Sequence, residues 1–415
     1  MKHILSKRMF FYAVMPVFGA LLLTACASGR ISQLSYPLPQ AMPPAGLSIQ
    51  QVPQFICFGT DDNGYSGLEG SGGGGGLHFL TAIFTGRKNQ AGSNNPRTFD
   101  GSPWHYSFYV NTYYIVPDIN ASSAYASTGK ENPVFVKRAW KEALEHGHEI
   151  GNHTHSHPHG NAFSVRRWLK EMRLCSDILG RPYDDRETVA QPNLHSGLGI
   201  PRLQLIGFRT PFLEYNNDTL KAARRQGFLY DCSLEEGFET GQDGGNFLWP
   251  YRLDRGSPGN PQTIGRHPGF WEIPVYAFIV PPDNDCEPYG VLPGLRDKLG
   301  KIHDYFNPAE GKITGMDWNL WCDFRMDPAE FLATLKYTLD RRLAGNRAPM
   351  TVGLHSELYS DKHDAGDTST SVAERRAALR EFLDYVQAIP EARVVSGREL
   401  LHWLRQPVPL DSQGE

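Results

Sequence analysis

The chain has 415 residues, with 41 Lys and Arg against 45 Asp and Glu, a formal charge of −4. At 40% hydrophobic and 21% charged residues it is no disordered polymer, and without a basic excess it is no nucleic-acid binder by trade. The 42 Gly and 30 Pro imply many loops, which suits a barrel or sheet-rich enzyme better than a helical bundle.

In chain order, the first segment reads as an address. Lys2, Lys7 and Arg8 precede an apolar run from Met9 to Leu23, broken only by Pro16. The run is short for a membrane span and right for a signal peptide. Leu23-Thr24-Ala25-Cys26 then resembles the lipobox of bacterial lipoproteins. That resemblance implies cleavage before Cys26 and lipidation of Cys26; an ordinary secretory signal with Cys26 incidental stays open. The expected division is a signal peptide at 1–25, a mobile tether at 26–50, a catalytic body at 51–406 and a tail at 407–415. A lipid anchor puts the protein in the cell envelope, and Ala27 after Cys26 suggests the periplasmic face of an outer membrane.

The body alternates strand and helix signals. Gln54–Phe58 and Tyr106–Val110 are short β-branched and aromatic runs. Pro133 opens a helix that Gly147 closes, and Val165, Trp168, Leu169, Met172, Cys175 and Leu179 recur at helical spacing up to Gly180. Capping boxes at Asp327/Glu330, Ser371/Glu374 and Ser396/Glu399 start three more helices, with strands at Met350–Leu354 and Arg393–Val395. Such alternation predicts parallel βα units, hence a barrel or a doubly wound sheet. Gly72–Gly76 lacks the Lys-Ser/Thr of a phosphate loop and reads as a flexible loop, and residues 84–103 read as a polar insertion at the rim of a groove. With Cys26 lipidated, Cys57, Cys175, Cys232, Cys286 and Cys322 remain, an odd set in which Cys286–Cys322 is the favoured disulfide.

Five short motifs carry acids and bases. Thr60-Asp61-Asp62 follows the first strand, where barrel enzymes place catalysis, although Asp, Asp, Asn63 and Gly64 are also good turn formers. Next comes His153-Thr154-His155-Ser156-His157, in which His153 and His157 can face one side; two imidazoles plus a carboxylate make three ligands of a catalytic zinc. Arg209-Thr210-Pro211-Phe212 offers a guanidinium for a carboxylate before a rigid turn. Asp231-Cys232-Ser233 and Gly353-Leu354-His355 each end a strand in a titratable group.

Taken in order, TDD, HTHSH, RTPF, DCS and GLH resemble the motifs of the polysaccharide deacetylases, the NodB-homology family of carbohydrate esterases. FRTPFLEYN, LYDCSLEEG, LWPY, WEIP and NRAPMTVGLH resemble its chitin-deacetylase-like branch. The resemblance implies an α/β fold, a distorted (β/α) barrel with long loop insertions, and a divalent metal, commonly Zn2+. It implies Asp62, His153 and His157 as metal ligands and Asp61 as general base, paired with Arg209. It further implies the Phe212 backbone N–H at the oxyanion and His355 as general acid, its imidazole held by Asp231. The implied reaction removes N-acetyl groups from an amino-sugar polysaccharide: chitin-like, peptidoglycan or exopolysaccharide.

Three positions depart from the pattern. Thr60 stands where an aromatic is usual, and Cys232 where a Trp is common. Gly353 replaces an aliphatic residue, which predicts a wider acyl pocket. Trp104, Trp249, Tyr251 and Trp271 are groove candidates. Two other readings use the same residues: a metal-dependent amidohydrolase on a non-glycan amide, and a non-catalytic carbohydrate-binding lipoprotein.

Overall fold

A computed structural model describes residues 39–116, 131–258, 264–362 and 368–411. Cys26 and the expected signal peptide lie outside the described residues. The strands, in chain order, are β1 (Gln54–Asp61), β2 (Ser107–Val110), β3 (Glu149–Asn152), β4 (Gly207–Phe208), β5 (Tyr230–Asp231), β6 (Glu235–Glu236), β7 (Tyr251–Arg252), β8 (Trp271–Glu272), β9 (Val275–Tyr276), β10 (Phe278–Ile279), β11 (Lys312–Ile313), β12 (Met350–His355) and β13 (Ala392–Val394). The helices are α1 (Gly76–Thr85), α2 (Pro133–Glu145), α3 (Val165–Leu179), α4 (Asn217–Gln226), α5 (Leu295–Ile302), α6 (Pro328–Ala344), α7 (Val372–Gln387) and α8 (Gly397–Arg405).

The main sheet runs β12-β1-β2-β3-β4-β5-β8-β7, with β13 also on β1. Its pairings are parallel except β7 on β8. β1 is the hub: its first residues pair with β13, its last with β2, and most of its length with β12. Between β8 and β12 the wall is irregular. There Tyr276 N–H donates to Thr351 Oγ1 at 3.0 Å and Gly353 N–H to the Gly315 carbonyl at 2.8 Å. The result is a distorted α/β barrel whose regular strands do not complete the circle.

Strand alternation sorts the core into two layers. Ile56, Phe58, Val352 and Leu354 face outward and pack with Phe84, Phe382 and other helix residues. Phe55, Cys57, Tyr109, Tyr230 and Met316 face inward. The amino-terminal end of the barrel is stoppered by α8. Its first N–H groups reach Ser107 Oγ (3.0 Å) and Glu149 Oε2 (2.8 Å), and its Trp403 lies 4.9 Å from the Phe55 ring. The capping boxes of α6, α7 and α8 form as their sequences predict, each satisfying amide groups that a helix end leaves over.

Several expectations need correction. The five described cysteines are free and buried, so Cys286 and Cys322 form no disulfide; each acts as a small apolar filler. Residues 39–50 are docked rather than loose: the Gln40 carbonyl accepts from Trp249 N–H at 2.9 Å, and the Ala41 carbonyl from the Asn346 side chain. The tail is docked at Leu410, which is buried with its N–H on the Gln51 carbonyl at 2.6 Å. The Gly72–Gly76 run ends in a helix start, since α1 begins at Gly76. The insertion 84–103 lies at the closed end, where Asn89 bonds both ways with Val394 (2.7 and 3.2 Å) and Arg393 Nε donates to Thr98 O at 3.0 Å; it does not rim the mouth.

Candidate active site

The motif residues meet at the carboxyl ends of the parallel strands, the open end of the barrel. Asp61 is the last residue of β1. Asp62 and Asn63 follow with φ of 65° and 67°, a left-handed conformation that Asp and Asn tolerate better than most residues. Asn63 locks the turn by donating to the carbonyls of Thr60 (2.9 Å) and Tyr109 (2.8 Å), while Thr60 Oγ1 donates to Asn63 Oδ1 at 2.5 Å. The turn-forming composition and the placement of two acids are therefore one device. Thr60 closes it.

The histidine loop is stitched just as closely. His153 N–H donates to the Val110 carbonyl at 3.2 Å, and His157 N–H to Thr154 Oγ1 at 3.2 Å. These bonds bring Nε2 of His157 to 3.0 Å and Nε2 of His153 to 3.7 Å from Asp62 Oδ1. The ligand atoms of Asp62, His153 and His157 all lie within 4.8 Å of one another. Burial pushes both imidazoles toward the neutral form, His157 down to about 3. Nδ1 of His153 is 2.9 Å from the Arg209 carbonyl, which assigns the ring proton to Nδ1 and leaves Nε2 as the donor atom. One carboxylate and two neutral imidazoles in a buried recess fit a divalent cation.

Arg209 enters from the tip of β4. It is buried, and its Nη1 donates to Asp61 Oδ1 at 2.9 Å. Its Nε donates to the Cys232 carbonyl at 2.8 Å, its Nη2 lies 3.0 Å from Cys232 Sγ, and its guanidinium lies 4.4 Å from the Tyr109 ring centre. Cys232 is thus part of the cradle that holds the guanidinium. Gly59 is required beneath it, because a Cβ there would meet Tyr109 at 2.9 Å and Arg209 at 3.0 Å. Burial works against the Arg209 charge, but Asp61, Cys232 and Tyr109 together outweigh it and keep the guanidinium protonated.

His355 ends β12 and is the register partner of Asp61. Its imidazole partner is Asp317, not Asp231. His355 Nδ1 lies 2.8 Å from Asp317 Oδ1, and its backbone N–H donates to Oδ2 at 3.1 Å. Burial would lower the imidazole pKa; the bond and charge of Asp317, joined by the charges of Asp61 and Asp62, win and raise it to about 10. Asp231 is buried elsewhere, accepting from Ser233 N–H and Ser233 Oγ, each at 3.0 Å, beside its register partner Glu272. Burial raises both carboxyls, and Asp231 adds to the rise at Glu272. Ser233 Oγ in turn accepts from Thr210 N–H at 2.9 Å, so Asp231 braces the turn that carries Phe212. Phe212 has φ of 56° and stacks on His159 at 4.0 Å.

Asp61, Asp62, His153, His157 and His355 line a cavity of about 400 Å³, whose walls include Phe212, Leu213, Met316, Trp318, Glu235 and Glu357. The tryptophan candidates do not take part. Trp104 and Trp249 are each 2% exposed and belong to the core. Trp271 lines a separate hollow with Leu401, Leu404 and Arg405 at the closed end. The mouth aromatics are instead Phe212 and Trp318, the latter 5.6 Å from the His355 ring. Nor does Gly353 widen the pocket, because the Met316 side chain fills the space a residue there would take. Nothing in GMDW singled out Met316, Asp317 or Trp318; the segment has neither period nor motif.

Residues 97–230 match the polysaccharide deacetylase family model. That stretch is similar to a polysaccharide deacetylase domain. The matched stretch holds His153, His157 and Arg209, and the sheet brings Asp61, Asp62 and His355 to it from outside. The chain is 23% identical over 412 residues to chitin deacetylase 8 of Bombyx mori, covering 95% of this chain and 85% of that one. A Mycobacterium smegmatis structure, described provisionally as a polysaccharide deacetylase, aligns with TM-score 0.47 and 16% identity over 89% of this chain and 94% of that one. The chitin deacetylase of Colletotrichum lindemuthianum aligns with TM-score 0.26 and 15% identity over 48% of this chain and 62% of that one.

Proposed function

We propose that the protein is a metal-dependent hydrolase that removes N-acetyl groups from an amino-sugar polysaccharide. The observation that carries this reading is the convergence of Asp62, His153 and His157 within 4.8 Å, next to Asp61 and His355 on adjacent strand tips. These three residues would hold the cation, with Zn2+ matching the donor set. When bound, such a cation supplies Lewis acidity, polarising an amide carbonyl and acidifying water.

The chain's own residues do the rest. Asp61 takes a proton from the attacking water. Arg209, at 2.9 Å, holds its carboxylate aimed. The Phe212 backbone N–H, on the turn braced by Asp231 and Ser233, faces the developing oxyanion; one such donor typically contributes about 2.7–4 kcal/mol. His355, kept protonated by Asp317, hands a proton to the departing amine, which would not leave as an anion. The products are acetate and a free amino sugar.

We further propose, on the lipobox-like Leu23-Thr24-Ala25-Cys26, that the protein is held in the cell envelope by lipid at Cys26. No helix among the described residues is long and apolar enough to cross a membrane. Acetate release is to be measured on N-acetylated chitin oligomers, peptidoglycan and poly-N-acetylglucosamine, with and without chelator. Chelator-sensitive release from at least one supports the reading; no release from any metal-loaded sample refutes it.

A further inference from the structure

The floor of the cavity comes from an unexpected part of the chain. On β12, Thr351, Gly353 and His355 share the inner face, while Val352 and Leu354 face the helices. Position 353 therefore lies beneath His355, roughly 7 Å deeper at two residues of strand rise. It is a glycine, and its place is taken from across the irregular wall. A Cβ at Gly353 would overlap the sulfur of Met316 and lie 2.7 Å from its terminal methyl.

Met316 cannot drift far. The neighbouring Gly315 carbonyl accepts from Gly353 N–H at 2.8 Å, and the Met316 N–H turns back on the Thr314 carbonyl at 2.7 Å. Its side chain is 5% exposed, yet it lines the cavity with the donor set and His355. A polymer cannot enter about 400 Å³, so only the acyl branch of its sugar reaches inward. The apolar tail of that branch meets a thioether at the bottom.

Resting on the deacetylase reading above, we propose that Met316 sets the depth of the acyl pocket and restricts the enzyme to acetyl over longer acyl groups. One methylene in an apolar pocket is discriminated by roughly 10–200-fold. The test compares kcat/KM for N-acetyl, N-propionyl and N-butyryl forms of one glucosamine tetramer. Wild type should prefer acetyl over propionyl at least about 10-fold. Met316→Ala should erase most of that preference, and Met316→Leu should keep it. Gly353→Leu added to Met316→Ala should restore it by refilling the space from β12. If Met316→Ala does not fold, Met316→Val makes the same comparison. An unchanged propionyl-to-acetyl ratio in a folded, active small-residue variant overturns the proposal, as does a wild type indifferent to acyl length. Absence of acetate release by folded, metal-loaded wild type on every glycan instead removes the deacetylase reading itself, and this inference with it.

Discussion

Asp61 and His355 stand at the tips of neighbouring strands in one register, and each is held by a buried group of opposite charge. On the Asp61 side the partner, Arg209, comes from the tip of a regular parallel strand and is cradled by Cys232 and Tyr109. On the His355 side the partner, Asp317, comes from the irregular wall, in the segment that also supplies Met316 and Trp318. The proposed base is thus positioned by the repeating part of the barrel and the proposed acid by its exception. Parallel βα units deliver functional groups at fixed places along the chain, whereas a closing segment delivers them wherever its loops reach.

The comparison can be broken most severely at the proposed cation site that both sides share. His153→Ala is expected to abolish both metal binding and turnover, measured by metal content and acetate release; retention of either contradicts the assigned ligand. Asp61→Asn should keep the metal and lower kcat by about 10²–10⁴-fold, the usual range for a lost general base. Asp317→Asn tests the other side and should cost about 10²-fold. It should also move the alkaline limb of the pH–rate profile. His355 donates only as imidazolium, a form present below its raised pKa of about 10 and lost as pH rises through it. Without the Asp317 charge that limb should fall toward neutrality. Asp231→Asn, which disturbs the Phe212 turn rather than the imidazole, should lower kcat less and leave the limb in place; a shift there would return Asp231 to the role first expected of it. Trp271→Ala, at the closed end, should leave kcat/KM unchanged.

Legibility in the sequence follows the same divide. Asp61 and Asp62 are contiguous, His153 and His157 sit four apart, and Arg209 precedes a proline turn, so local spacing betrays each one. Capping boxes likewise announced α6, α7 and α8. The start of α1 was masked by its glycines, although Leu77, Leu80 and Phe84 share a helical face that could have revealed it. The partner of His355 was invisible because Asp317 and Asp231 are equally plausible single acids; only the path of the closing segment chooses between them. Burial was equally hidden: Trp104 and Trp249 look like sugar platforms in the sequence and are packed away in the fold.

The docked segment at residues 39–50 carries a last consequence. It feeds β1 at the stoppered end, next to α8 and the returning tail. The chain therefore arrives at one pole and the reactive pit opens at the other.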